Sequence, residues 1–213
     1  MNDELEFTHG YVDPTLRSEF PELALVYTEL PVRPQRSPAP VRARLRAASD
    51  RFTGAKAVTL RQQPIPWAYR VFFRHVGIDP DERRTPIEAI ALERMRAGGF
   101  QSRNLVDDAL LLATLETGVP VLAFDAEAVD GDLGLRVSAG GESVGEKPVS
   151  AGQVLVADSS RALAVLFGEV ADGCGVQWSS ERMVLAAVQV KGVPDVSVEE
   201  ALWVGAETVN EGT

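Results

Sequence analysis

NLVDDALLLATLETGVPVLAFDAEAVDGDLGLRVSAGGE, residues 104–142, decides how the chain is read. Asn104 is a helix cap, because its short side chain can accept one of the orphan amides of a first turn. Asp107 then adds a carboxylate where the helix dipole favours negative charge. The helix runs through LVDDALLLATLET and stops at Gly118, which reaches the left-handed conformation without a Cβ penalty. Val119–Phe124 is apolar throughout and predicts a central strand covered on both faces. Val129-Asp130-Gly131-Asp132 predicts a hairpin-type turn, with Leu133–Val137 as the returning strand.

Downstream, Val154–Ala157, Ala162–Phe167 and Met183–Val190 read as three more strands. Ser197 and Glu200 predict a capping box for a last helix. Upstream, Phe20–Leu30 reads as a strand with Leu23, Leu25 and Tyr27 alternating. Residues 31–40 hold four prolines; lost amide donors and restricted preceding residues predict an extended connector, either a flexible arm or a boundary. Val41–Phe52 predicts an arginine-rich surface helix. Pro66 opens a second helix ending at Gly77, with Trp67, Val71, Phe72 and His75 on one face. Thr85, Pro86 and Glu88 predict a capping box and a helix that stops at Gly98-Gly99. Helices fill the first half and strands the second. That order predicts an α+β fold, a mixed, mostly antiparallel sheet packed against helices, rather than a doubly wound one. The expected organisation is a polar, frayed tail over 1–19, one domain over 20–205 and a short tail over 206–213. Within the domain, 41–103 is basic and helical and 104–205 strand-rich.

The 213 residues carry a net charge of −10, which alone disfavours tight non-specific binding to nucleic acid. The charge is uneven. Residues 31–84 hold twelve Lys/Arg against four Asp/Glu, and the remainder nine against twenty-seven. A basic patch on an acidic body is one reading, solvated arginines on helix faces the other. One cysteine, Cys174, and two histidines, His9 and His75, exclude a disulfide framework and a cysteine- or histidine-dominated metal site. No metal or cofactor is expected. The start, MNDELEF, lacks a basic region and apolar run, and no stretch is long and apolar enough to span a bilayer. The expectation is a cytoplasmic chain without a membrane partner. No dinucleotide fingerprint, phosphate loop, HExxH or GxSxG occurs. His75 reads as a packed histidine and Cys174 as a buried thiol. Asp107 and Asp108, about 100° apart on a helix, are not a ready acid/base pair. Residue chemistry alone leaves the catalytic residues unknown.

Longer patterns say more. Asn104, Asp108, Gly118, Pro120, Ala123-Phe124-Asp125, Gly131, Arg136 and Gly141-Glu142 stand in an order that resembles the B3/B4 domain of the phenylalanyl-tRNA synthetase beta subunit. Tyr69, Arg70, Gly77, Pro80, Arg84 and Glu88, within residues 68–90, look like the helical lead-in of freestanding B3/B4 proteins. The resemblance covers roughly residues 20–205. It implies a compact α+β domain, and a tRNA-editing activity of the kind by which the synthetase removes tyrosine from its tRNA. The residues it nominates for a ligand pocket are Asn104, Asp108, Leu110, Leu111, Leu122, Asp125, Arg136 and Glu142. Arg42, Arg46, Arg70, Arg74 and Arg84 are its candidates for an RNA surface.

The departures shape the expected chemistry. Where the synthetase domain has a Thr-Asn pair and a histidine lining its pocket, this chain has Leu110, Leu111 and Leu122. The late strand VLAAVQV lacks the glutamate that recognises the tyrosine hydroxyl. Leucine walls select on shape and apolar area, about 1–3 kcal/mol per methylene, not on a hydroxyl. Each polar candidate also has a structural use. Asn104 caps a helix, Asp108 and Asp125 can accept turn amides, and Arg136 can pair with Glu142. Arg70 and Arg84 can pair with acids such as Glu88. The leading expectation is an editing-like module that deacylates mischarged aminoacyl-tRNA in trans or binds RNA. The alternative is a silent module that holds an apolar amino acid, a small molecule or a partner protein, the last through the 31–40 segment.

Overall fold

The computed structural model describes residues 5–212. The chain opens with β1 (Thr8–His9), β2 (Tyr11–Val12) and α1 (Pro14–Glu19), followed by the long strand β3 (Ala24–Pro31). Five helices come next: α2 (Ala39–Arg51), α3 (Gly54–Thr59), α4 (Pro64–His75), α5 (Pro86–Ala97) and α6 (Leu105–Thr117). Strands β4 (Val121–Asp125), β5 (Gly134–Val137), β6 (Ser143–Val144), β7 (Lys147–Pro148), β8 (Val154–Ala157), β9 (Ala162–Val165) and β10 (Arg182–Gln189) precede the closing helix α7 (Asp195–Asn210). One sheet has the order β1-β3-β10-β4 and is antiparallel throughout. The second has the order β2-β5-β8-β9, parallel only between β2 and β5, and β6–β7 form a small ribbon. The expected α+β class, mixed and mostly antiparallel with helices against the sheet, holds.

Met183–Val188 is buried at every position, so β10 needs cover on both faces. Alternation supplies it. Leu185 points at α7, where a Cβ added to Gly205 would lie 3.2 Å from it. On the other face Leu25 of β3, paired with Val188, meets the backbone around Gly10 and Leu133 that leads into the second sheet. The hydroxyl of Tyr69 on α4 donates to the Val188 carbonyl at 2.7 Å. Burial pushes its ionisation well above the ordinary tyrosine range. Phe167 follows β9 with a positive φ of 56°, a conformation an L side chain adopts at a cost. Its ring stacks on Phe73 and meets Tyr69 edge-on, and those contacts hold it there.

Several expectations are corrected. Residues 8–13 are not frayed. Gly10 donates to Leu25 O, Tyr11 to Leu133 O and Asp13 to Leu135 O, so this segment passes from one sheet to the other. Gly10 and Gly134 permit the crossing, because a Cβ at Gly134 would sit 2.2 Å from the Tyr11 ring. At the other end α7 continues through Asn210 with Thr208 and Val209 buried, so helix enters the stretch expected to be a tail. α7 begins after Pro194 and has no side-chain cap, so Ser197 lies within it. β4 is an edge strand, not a central one: an apolar run reports covered faces, not paired edges. β4 and β5 do not form a hairpin. A 3-10 turn at Ala126–Ala128 carries the chain away, and Asp158 then captures the Asp130 amide at 3.0 Å, handing β5 to the second sheet. On α4 the buried residues include Tyr69, Arg70, Phe72 and Phe73, whereas Trp67 and His75 are exposed. The predicted capping box at Thr85 and Glu88 is present, as is the Asn104 cap with Gly118 in the left-handed region.

Arg70 is 3% exposed and bonds Glu88 at 2.6 Å and Asp81 at 2.7 Å, and the other Glu88 oxygen accepts from the Thr85 hydroxyl. One carboxylate thus ties α4 to the start of α5. Removing one partner of a buried pair strands the other charge. Glu88→Ala should cost about 3–5 kcal/mol in urea unfolding, against near zero for the exposed Glu82→Ala. Asp158 offers a pH test. Burial pushes its carboxyl up, but hydrogen bonds from Asp130, Ser160 and Arg161 outweigh burial and hold it below the ordinary value. Its contribution is full above the unfolded pKa near 4 and is lost as pH falls through the lower folded value. Asp158→Asn should therefore be destabilised at pH 7, with the gap from the parent narrowing as pH drops below about 4.

Candidate functional site

Asp108 stands in the first turn of α6 and is 1% exposed. Its carboxylate accepts the Ser37 hydroxyl at 2.6 Å, the Ser102 hydroxyl at 2.5 Å and the Arg103 amide at 3.0 Å. The proline-rich connector is fixed by the same device. Leu105 N donates to Gln35 O, the Gln35 side chain bonds Gly212 O, and Val32 and Ser37 are buried. Residues 31–40 are a clamped strap, not a free arm.

This anchoring sets two neighbouring clefts. The first, about 370 Å³, lies between α5, α6, the start of β4 and the Phe167–Gly168 turn. Leu110, Leu111, Val121, Leu122, Ile90 and Phe167 form apolar wall, and Arg84, Arg94 and Arg103 stand among Glu93, Asp107 and Asp108, with Arg103 paired to Glu93 at 2.9 Å. The Arg94 Nη2 donates to Ser49 O at 3.0 Å, while its Nε is buried without an acceptor among the described residues. The second cleft, about 350 Å³, shares Asp107, Leu110, Val121 and Leu122 with the first and adds Pro34, Asn104, Gln177 and Trp178. Such volumes suit small ligands or parts of larger ones.

The structure divides the eight pocket candidates. Asp108, Leu110, Leu111 and Leu122 line the first cleft, and Asn104 joins Leu110 and Leu122 in the second. Asp108 faces a cleft but its carboxylate is consumed by three donors. Asn104 accepts the Asp107 amide and donates to the Asp107 carboxylate, both at 2.9 Å. Asp125 accepts the Glu127 amide at 3.0 Å and the Ser180 hydroxyl at 2.6 Å, so it binds β4 to the 171–180 loop. Arg136 and Glu142 pair with each other on the second sheet and line neither cleft. The hydrogen bond between them raises the guanidinium and lowers the carboxyl.

Of the RNA candidates, Arg70 is buried in its acid pair and unavailable to a polyanion. Arg42, Arg46, Arg74 and Arg84 are exposed. Arg84 lines the first cleft, Arg42 donates to Ser37 O, and Arg74 lies over the Trp67 ring. Three groups escaped the sequence reading. Asp107 is exposed where the clefts meet, although the sequence suggests only a dipole partner. Arg94 is one of several arginines on an amphipathic pattern with nothing to single it out. Trp178 is 69% exposed in a glycine-rich stretch whose only signal is an aromatic among turn residues. Cys174 is 1% exposed and burial pushes its thiol up, which argues against a nucleophile. No cluster of His, Cys, Asp or Glu among the described residues is arranged to hold a metal. No helix among them is long and apolar enough to cross a membrane.

The chain is similar to the phenylalanine–tRNA ligase beta subunits of two Legionella pneumophila strains, Lens and Paris, at 36% identity over 89 residues in each case. Those residues make up 39% of this chain and 11% of each subunit, so the match covers a small part of the ligase. An N-terminal fragment of the phenylalanyl-tRNA synthetase beta subunit from Pyrococcus horikoshii superposes on 95% of this chain, covering 48% of the fragment, with a TM-score of 0.45 and 12% identity. No family model matches the chain. The resemblance to the synthetase beta subunit read from the residues is borne out by the two sequence matches.

Asp108→Asn tests whether the clefts rest on that carboxylate. It sets an amide where three donors converge, and should lower unfolding free energy by about 2–3 kcal/mol. Hydrogen exchange should rise at residues 35–37 and 102–105, with little change in β10.

Proposed function

We propose that the chain is a tRNA-editing-like module that accepts the aminoacyl end of a tRNA and hydrolyses esters of apolar amino acids in trans. One observation carries the reading. Leu110, Leu111 and Leu122, the positions that the resemblance equates with the synthetase's polar editing pocket, line a single cleft together with Asp108. Their chemistry sets the substrate class. An aliphatic or small apolar side chain loses nothing on entering leucine walls, whereas a tyrosine hydroxyl would be left unpaired. The exposed arginines 42, 46, 74 and 84 supply the cationic surface for the acceptor arm, in a chain whose overall charge would otherwise repel it.

The ester bond would lie where the two clefts meet. Asp107 is the carboxylate available there, because Asp108 is saturated. Water adds to the ester carbonyl, the bond from carbonyl carbon to ribose oxygen breaks, and the proton released by water passes through Asp107 to the departing ribose oxygen. Arg94 and Arg84 can balance charge that develops on the carbonyl oxygen. General-base help of this kind is worth about 10²–10⁴-fold. A second reading, a catalytically silent module that binds an apolar amino acid, is favoured by the absence of histidine and cysteine from both cleft linings.

A panel of tRNAs charged with alanine, valine, isoleucine, phenylalanine and tyrosine separates the two. Release of free amino acid is expected for the apolar esters and not for tyrosine, with Asp107→Asn slower by about 10²-fold. No release from any member by folded protein, together with a thermal shift on adding free apolar amino acids, would establish the silent module instead.

A further inference from the structure

Away from the two clefts, a cavity of about 190 Å³ lies between the end of α4, the 77–83 turn, residues 151–153 and the end of β9. Phe72, Val76, Ile78, Val154, Leu166 and Phe167 wall it, and the Phe72 and Phe167 rings meet edge-on at 6.3 Å. Phe167 is the one residue it shares with the lining of the first cleft. The long polar side chains at this apolar space are those of Arg83 and Gln153, and neither has a hydrogen-bond or ion-pair partner among the described residues. The chain fixes where the guanidinium lies. The Ile78 amide donates to Phe73 O and the Arg83 amide to Asp79 O, both at 2.8 Å. Asp81, within the same turn, is held by Arg70 at 2.7 Å. The turn is therefore braced against α4. Across from it, the Gly168 amide donates to Val165 O at 2.7 Å. A Cβ on Gly168 would stand 3.0 Å from Arg83 Nη2, so the missing side chain is what lets the guanidinium lie against this second turn.

We infer that this cavity binds a small apolar monocarboxylate, its hydrocarbon body among Phe72, Val76 and Leu166 and its carboxylate on Arg83, with the Gln153 amide as a second donor. An apolar lining with a few convergent polar groups is the usual make-up of a small-molecule site. The guanidinium fork matches a carboxylate, and its charge-assisted bonds are roughly twice as strong as neutral ones. Charge balance limits the ligand to one anionic group. Arg83 is the charged side chain among the described residues that line this cavity. The adjoining cavity also uses Arg83 and Gln153, but sets Lys147 against Glu146, Glu169 and Asp172, and Lys147 is already paired with Glu169. A second anionic group, such as a further phosphate, would be driven onto those acids. A neutral ligand would leave the guanidinium unmatched. Water alone would find few partners on the apolar walls. The volume falls below the roughly 300–1,000 Å³ of drug-sized pockets, which restricts the ligand to a short branched or aryl acid. The site is separate from the leucine-walled cleft and does not rest on the proposed function.

The probes are isovalerate and phenylacetate, each compared with its primary amide, added to the full chain with labelled methyl groups. Saturable binding of the acids is expected, with NMR shifts at Val76, Ile78, Val154 and Leu166 and with the amides about tenfold weaker. Arg83 is exposed, so Arg83→Gln should keep the parent's unfolding transition while binding the acids about as weakly as the parent binds the amides. Arg83→Lys should retain part of the preference for acid. Gly168→Ala should weaken the acids by displacing the guanidinium. Arg96→Gln, on α5 and outside the lining, should match the parent. Equal affinity for acid and amide would overturn the assignment, as would an Arg83→Gln protein that binds the acids like the parent. Shifts confined to Leu110, Leu111 and Leu122 would overturn it too, by moving the acid to the first cleft, and so would absence of binding at about ten millimolar acid. No tRNA enters the assay, so ester hydrolysis can fail while this site stands, and the reverse.

Discussion

Six consecutive buried residues in β10 impose the constraint from which the rest of the fold follows. A strand with apolar side chains on both faces must be covered twice, and this chain does so with unlike layers. α7 lies on the face that Leu185 presents, and the second sheet approaches the face that Leu25 shares with Val188. Pairing with β3 along its whole length and with β4 along part of it leaves β4 as an edge strand of the sheet. That edge is where the clefts open. The core dictates their place before any functional side chain is considered.

What gives the clefts their shape is a polar device. Asp108 gathers donors from the 31–40 strap, from the α5–α6 connection and from the backbone ahead of α6. A buried carboxylate with three donors is well satisfied, and it fixes both approaches to α6 at once. The same saturation removes Asp108 from chemistry. Its neighbour Asp107, about 100° further round the helix, is left exposed at the junction. Structural and chemical work are divided between adjacent residues because the helix points them in different directions.

Charge follows a similar division. Arg70 sits inside, matched to Glu88 and Asp81, and holds two helices together. Arg44 is tied to Glu116 and Glu211 across α2, α6 and α7. The arginines left over on the strap and on α2, with Arg84 beside the first cleft, belong to the basic stretch 31–84 of an acidic chain. Their availability, more than their number, marks the surface suited to a polyanion.

The helices with caps were legible because a cap is local: Asn104 and Gly118, or Thr85 and Glu88, satisfy backbone groups within a few residues of themselves. The strands β3, β8 and β10 were legible from apolar pattern, and so were the leucines of the first cleft once their order resembled a known pocket. Other features escaped for a common reason. Two-residue strands such as β1 and β2 have no periodicity, and exist only because Gly10 and Gly134 let one segment touch both sheets. The edge position of β4, its separation from β5 by Asp158, and the exposure of Trp178 and Asp107 depend on what arrives from distant sequence. Sequence by itself determined the capped helix ends at Thr85, Asn104 and Gly118, the apolar faces and the α+β class, because these arise from contacts within a turn or a strand. Tertiary structure alone decided which edge stayed open, which carboxylate was consumed and which arginine was free, because each outcome depends on partners up to a hundred or more residues away.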